Sequence, residues 1–256
     1  MTRFATFHDL QGLSVFITGG GSGIGAALTE GFLEQGARVA FVQRSDSAEF
    51  VAEMGDKHGR KPFFIPCDIT DITALQTAIK QAAEENGDIS VLVNNAANDT
   101  RHTLDEYTPE QWDAAMNVNL RPHFFTAQAV APAMRRNGGG SIINFSSISY
   151  MMGLAGFPAY MTSKAAITGL TRGLARELGP DNIRVNALMP GWVLTERQLK
   201  LWATEEGLAA HMERQCLKEH LNSRDIVDAT LFLASKTSRM MTGQALVIDG
   251  GVVVTG

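Results

Sequence analysis

The run Gly19-Gly20-Gly21-Ser22-Gly23-Ile24-Gly25 stands between an apolar stretch, Ser14–Thr18, and a helix-forming one over residues 26–33. It reads as strand, tight turn and helix. Glycines reach positive φ and let the backbone approach a pyrophosphate closely, while the free N–H groups and dipole at a helix start favour an anion. A second apolar strand, Arg38–Gln43, follows. In that setting the turn predicts a dinucleotide site.

Strand and helix patterns go on alternating to the end of the chain. Apolar strand candidates cover residues 62–69, 89–94, 141–146, 183–189 and 245–249, with helical stretches starting near Asp71, Pro109, Pro158, Glu196 and Ser223. Such alternation implies a parallel sheet covered on both faces, with a site beyond the strand C-termini. The 256 residues suit one domain, and nothing in them reads as a linker or repeat. The net charge of −5 and the lack of a basic stripe argue against a nucleic-acid surface. Cys67 and Cys216 are too few for a disulfide framework, and the six histidines show no metal-ligand spacing. All but His102 read as surface histidines. The first eleven residues lack the zones of a secretory signal, and no apolar run reaches the roughly 20 residues of a membrane span, so a cytoplasmic location is expected.

Tyr160 and Lys164 are four residues apart in a helical segment and share a face, and Ser147 comes thirteen residues before Tyr160, just past a strand. A phenol beside a fixed cation suggests acid–base chemistry. Tyrosine titrates near about 10, so a phenolate at neutral pH needs a pKa lower by about three, roughly 4 kcal/mol. One ammonium at about 4.5 Å supplies on the order of 3.7 kcal/mol at an effective dielectric of about 20. Lys164 therefore suffices in size, before desolvation takes some back. Asn119 lies in a helical stretch three residues before Pro122. Proline cannot donate to the carbonyl of Val118 and its ring pushes that carbonyl away, so a kink is expected at Asn119.

Taken in order, these motifs resemble the short-chain dehydrogenase/reductase family. The likeness rests on Thr18-Gly19-x-x-x-Gly23-x-Gly25, Asp68 after the third strand, Asn94-Asn95-Ala96-Ala97 after the fourth, Asn119, Ser147, Tyr160-x-x-x-Lys164 and Pro190-Gly191-Trp192-Val193-Leu194-Thr195. Ala97 departs from the family's usual glycine, and its methyl should narrow the turn without removing function. The resemblance implies an α/β, Rossmann-like, doubly wound parallel sheet of about seven strands with helices on both faces, in one domain over residues 1–256. It implies that Ser147 hydrogen-bonds the substrate oxygen, Tyr160 takes its proton beside Lys164, and hydride leaves the same carbon for a nicotinamide. Asn119 would hold a proton-relaying water. Gly19, Ser22, Gly23, Ile24 and Gly25 would cradle the cofactor, Asp68 and Ile69 meet the adenine, and Asn95 and Ala96 line its ribose. Tyr160, Lys164, Pro190, Gly191, Val193 and Thr195 complete the cofactor set.

The second strand ends in Gln43 and Arg44 rather than in the carboxylate that selects an unphosphorylated ribose. A guanidinium there suits a 2′-phosphate, so NADP is favoured and NAD remains possible, because Gln43 can also bond a free ribose hydroxyl. Ser22 occupies a position where some NADP-dependent relatives carry a second basic residue.

Residues 98–102 and 192–199 should overhang the nicotinamide, and both are rich in hydrogen-bonding groups. A sugar needs such groups, whereas a steroid or acyl chain wants apolar walls. The segments resemble those of bacterial aldose dehydrogenases, which implies oxidation of an aldose at its anomeric carbon to the lactone. Asn98, Arg101, His102, Ser149, Trp192, Arg197 and Gln198 are the substrate-binding candidates. The alternatives are a 3-oxoacyl thioester reductase and a dinucleotide-binding protein without catalysis. Ala165, Ala166, Gly169 and Gly173 give one helix a small-residue face, and by resemblance a homotetramer is expected, with residues 249–252 near a second interface.

Overall fold

A computed structural model describes residues 5–254. The first four residues of the segment searched for a signal, and the last two of the chain, lie outside it. Seven strands form one parallel sheet: β1 (Ser14–Thr18), β2 (Arg38–Gln43), β3 (Phe63–Pro66), β4 (Val91–Asn94), β5 (Gly140–Phe145), β6 (Ile183–Pro190) and β7 (Ala245–Ile248). Their spatial order is β3-β2-β1-β4-β5-β6-β7. Among the described residues, ten α-helices connect and cover the strands: α1 (Gly23–Glu34), α2 (Ala48–His58), α3 (Ile72–Asn86), α4 (Pro109–Asn119), α5 (Arg121–Arg136), α6 (Ser149–Met152), α7 (Pro158–Leu178), α8 (Glu196–Leu201), α9 (Glu205–Arg214) and α10 (Ser223–Ala234).

Because both sheet faces are covered, the central strands are apolar throughout instead of alternating with polar residues. Successive residues feed opposite layers. Phe16, Val42, Leu92 and Ile142 pack with Leu75 and Ile79 of α3, Val130 and Met134 of α5 and Leu174 of α7. Val15, Ile17, Phe41 and Val93 pack with Leu28 and Phe32 of α1 and Ile226, Val227 and Leu231 of α10. One polar seam crosses this core. Asn94 Nδ2 donates to Asn144 Oδ1 (3.0 Å), Thr126 Oγ1 to Asn94 Oδ1 (2.8 Å) and Asn144 Nδ2 to Thr171 Oγ1 (3.1 Å), and all four residues are buried.

Two strands are shorter than their apolar runs. Beyond the regular ladders, Cys67 N still donates to the Gln43 carbonyl (3.0 Å) and Ser90 N to the Ser14 carbonyl (2.9 Å). The proline acts more strongly than a kink: α4 ends at Asn119 and α5 begins at Arg121, with Leu120 between them at φ −125°, ψ −53°. The stretch starting near Glu196 is likewise two helices, since the Thr204 side chain accepts from Gly207 N and starts α9 afresh. The strand order reverses between β1 and β4. Crevices beyond strand C-termini open at such a point.

Candidate active site

The glycine turn sits at that reversal. Gly19 has φ +71°, and a Cβ on Gly25 would lie 1.7 Å from the Gly19 carbonyl oxygen, so turn and helix start pack backbone to backbone. Asn95 ties this turn to β4: its Nδ2 donates to the carbonyls of Thr18 (3.1 Å) and Gly19 (3.2 Å), while Thr18 Oγ1 accepts from the amides of Asn95 (3.0 Å) and Ala96 (3.1 Å). Ser22 precedes α1 in extended conformation and its side chain caps nothing, which leaves the first N–H groups of α1 for an anion. A cradle in which a Cβ would collide, at an uncapped helix start, fits a dinucleotide pyrophosphate.

At the end of β2, Gln43 Oε1 accepts from Gly21 N (3.0 Å) and its Nε2 donates to Ser45 Oγ (3.0 Å), so the glutamine braces the turn. Arg44 is exposed and lies 3.8 Å from Asp68. Asp68 also accepts from Thr70 N (2.9 Å), and that backbone bond, with the Thr70 hydroxyl and Arg44, holds its carboxyl below the usual range against partial burial. Ile69 lies beside it along the same cleft.

Ser147, Tyr160 and Lys164 come together past the end of β5 and along the first turns of α7. Lys164 Nζ donates to the Phe145 carbonyl (2.7 Å), and Ser146 Oγ donates to the Lys164 carbonyl (2.6 Å), so the lysine is fastened to the strand at both its ends. Its ammonium lies 5.5 Å from the centre of the Tyr160 ring. Ser147 Oγ accepts from Ser149 N (3.1 Å). Burial pushes the Tyr160 phenol well above the ordinary tyrosine range and the nearby Asp99 charge adds to this, opposed by Ser147 and Arg101. Burial also lowers Lys164 to about 7, opposed by Asp99. Burial therefore works against the phenolate and the ammonium alike: the lysine is 2 % exposed and is lowered to near neutrality.

Asn119 is buried at the end of α4, and its side chain clasps the backbone of Asn98, accepting from its N–H (2.7 Å) and donating to its carbonyl (3.0 Å). One turn on, His123 departs from the surface reading. It is 2 % exposed, and burial, with the Lys164 charge adding and the Asn94 backbone opposing, lowers it to about 3. It shares the inward face of α5 with Thr126.

The glycine turn, Gln43 to Arg44, Asp68 to Ile69, Asn95 to Asn98, Ser147, Ser149, Tyr160, Lys164, Pro190 to Val193 and Thr195 line one cleft of about 1390 Å³. Ala97 is exposed along its wall. At the far end, two chain segments interlock. Arg197 donates to Asn98 Oδ1 (3.2 Å) and pairs with Asp99 (3.5 Å), Gln198 Nε2 donates to Asp99 Oδ2 (2.8 Å), and Trp192 Nε1 donates to Gln198 Oε1 (3.1 Å). Arg101 lies over the Phe157 ring at 3.7 Å and the Trp202 ring at 5.0 Å. Ser149 Oγ is buried without a partner.

His102 is placed elsewhere. Its ring stacks on Tyr107 at 3.5 Å, and its Nε2 accepts from Ala159 N (3.3 Å) near the start of α7, which makes it a brace for the helix carrying Tyr160 and not part of the cleft wall. Among the wall residues that the sequence did not single out as substrate-binding candidates are Asp99, Phe157, Trp202 and His211. Asp99 could have been found from its place beside Asn98. Phe157 directly precedes α7, whereas Trp202 and His211 depend on how α8 and α9 fold back over the cleft, which no local spacing encodes. Among the described residues no cluster of three metal-ligating side chains occurs, and no helix is long and apolar enough to cross a membrane.

Comparison with known proteins adds to this geometry. The family model described as enoyl-(acyl carrier protein) reductase matches residues 19–253. A protein of Rhizobium meliloti (strain 1021) described as a probable galactose dehydrogenase is 52% identical over 248 residues, covering 96% of this chain and 97% of its own. The D-xylose 1-dehydrogenase of Caulobacter vibrioides is 47% identical over 249 residues, covering 96% and 98%. Among solved structures, one from Sinorhizobium meliloti 1021 described as a short-chain alcohol dehydrogenase superposes with a TM-score of 0.90 at 31% identity, covering 94% of this chain and 96% of that one.

Proposed function

Since the chain belongs to the short-chain dehydrogenase/reductase family, whose members use NAD(P) to oxidise or reduce at a CH–OH carbon, we propose that it oxidises the anomeric carbon of an aldose to the lactone. The observation that carries the proposal is the cleft itself. It joins a dinucleotide cradle at one end to a wall of Asn98, Asp99, Arg101, Trp192, Arg197 and Gln198 at the other, with Tyr160 between. Its polar far end suits several hydroxyls better than an acyl chain. Likeness over 96% of the chain to galactose and xylose dehydrogenases supports the same reading.

The residues divide the work as follows. The turn from Gly19 to Gly25 and the α1 start hold the pyrophosphate, Asp68 and Ile69 the adenine, Asn95 and Ala96 its ribose, and Pro190, Gly191, Val193 and Thr195 the remainder. Bound NAD(P) supplies the hydride acceptor. Ser147 donates a hydrogen bond to the sugar oxygen and Tyr160 takes that oxygen's proton. Lys164 stands beside the phenol, and in its charged form its ammonium opposes the burial that raises Tyr160. Asn119 serves twice: it clasps the Asn98 loop, and the helix break after it frees backbone oxygen for a relay water.

NADP is the favoured cofactor, because the exposed Arg44 guanidinium can leave Asp68 for a 2′-phosphate and no carboxylate stands at Gln43. Residues 1–256 act as one catalytic domain, in the cytoplasm, as a homotetramer. The open face of α7, where a Cβ on Gly169 or Gly173 would meet no other part of the described residues within 4 Å, supports the assembly, and a monomer in light scattering would refute it.

The test is initial-rate nicotinamide absorbance with pentoses, hexoses and 6-deoxyhexoses, each with NAD and NADP, beside reduction of an acetoacetyl thioester. Saturable oxidation of an aldose is expected. Turnover of the thioester alone would replace the sugar reading with an acyl one, and cofactor binding without any turnover would favour a non-catalytic role.

A further inference from the structure

Most polar groups at the far end of the cleft are already committed. Asn98 is held by Asn119 and Arg197, Gln198 bonds on both sides, and His102 braces α7. Asp99 is different. Its carboxylate can accept about four hydrogen bonds, and the structure uses one oxygen for Arg197 and the other for Gln198. Its side chain keeps 17% of its surface exposed and lines the cleft. The two ties come from α8, so the carboxylate is fixed in place from one side and open on the other. It lies close enough to the catalytic pair for its charge to be felt by both Tyr160 and Lys164.

Arg101 complements it. Its guanidinium carbon lies 3.7 Å from the centre of the Phe157 ring, which itself stacks on the Tyr160 ring at 5.6 Å, and no hydrogen bond or ion pair claims its N–H groups among the described residues. An acceptor with spare lone pairs and a donor with spare protons therefore flank the phenol.

We propose that Asp99 is the specificity-determining acceptor of this site, taking a hydrogen bond from the sugar hydroxyl next to the reacting carbon, with Arg101 donating to that same hydroxyl's oxygen. The inference rests on the sugar reading above and deepens it. A vicinal diol offers one oxygen to Tyr160 and Ser147 and the next to Asp99 and Arg101. A 3-oxoacyl thioester has no hydroxyl at that place, so the carboxylate would face an unpaired lone pair and disfavour it.

A latch that only holds α8 would use the same two ties, and a substrate cycle separates the two roles. We would measure kcat/KM for a turned-over aldose and for its 2-deoxy analogue in the unaltered protein, in Asp99→Asn and in Asp99→Ala. The unaltered protein is expected to prefer the parent sugar by about 10- to 100-fold, the size of a hydrogen bond to a charged group. In Asp99→Ala that preference should collapse to about twofold or less, the near-zero coupling of a cycle whose partner is gone. Asp99→Asn, which keeps the shape and can still accept from Gln198, should fall between. Equal losses on both sugars, with the preference intact, would reduce Asp99 to a positioning residue and overturn the proposal. Failure of the unaltered protein to oxidise any aldose would instead overturn the sugar reading, and this inference with it.

Discussion

At the cofactor end of the cleft, the ties end on the main chain: Asn95 holds the carbonyls of Thr18 and Gly19, and Gly25 packs against the Gly19 oxygen at a distance that excludes any side chain. At the substrate end the ties run side chain to side chain, Gln198 to Asp99 and Arg197 to Asn98, between residues 99 positions apart. Backbone geometry tolerates almost no variation, whereas crossed side chains can be exchanged in pairs while the strands beneath stay put. The first end suits a ligand shared by a whole family and the second a ligand that differs between its members.

The sharpest way to separate the two ends is Tyr160→Phe. Loss of the acid–base group should lower kcat by about 10³-fold, while dinucleotide affinity from fluorescence titration stays unchanged. A parallel loss of affinity would show that the ends are not independent. Gly25→Ala attacks the other side. A Cβ forced onto the Gly19 oxygen should cost about 1–3 kcal/mol, the range for overpacking, read as weaker dinucleotide binding with kcat at saturating cofactor largely kept.

Lys164→Met tests what burial does between the ends. The folded protein releases this proton near pH 7, and the unfolded chain holds it up to the ordinary lysine range. Between those limits the unfolded state binds more protons, so the wild-type penalty is full below about pH 7 and fades towards about pH 10. The ligand-free Met variant should therefore melt higher than wild type at neutral pH, by about 2–4 °C for each kcal/mol in a chain of this size. The gain should shrink as the pH is raised, and a gain independent of pH would mean that packing alone is responsible. Trp192→Phe is the mildest. It removes the donor to Gln198 and should raise the sugar KM by about fivefold, near 1 kcal/mol, and leave the cofactor KM alone.

The same contrast explains what the sequence could tell. The alternation of strands and helices, the glycine turn and the Ser147–Tyr160–Lys164 group were legible because each rests on short-range spacing that ends at a strand terminus. The break at Leu120 was half legible: Pro122 announced a disturbance, and only the structure shows two separate helices. His102 misled because a histidine beside Arg101 looks the same in sequence whether its ring faces the cleft or caps α7. Trp202 and His211 were hidden because the fold of α8 and α9 over the cleft is set by contacts far along the chain. The charge balance at Tyr160 also went the other way, since Coulomb attraction can be estimated from a spacing and the loss of water cannot.

The seam of Thr126, Asn94, Asn144 and Thr171 bears on how the chain finds this arrangement during folding. Apolar strands of similar composition can pair in more than one alignment, and a slip of two residues keeps every side chain on its proper face. Here Asn94 stands opposite Asn144. A two-residue slip would set it against Ile142 and part the two amides in an apolar interior, at about 1–3 kcal/mol for each unpaired group. Misaligned intermediates are thereby penalised at the centre of the sheet, and the seam acts as a key that admits one alignment of β4 with β5.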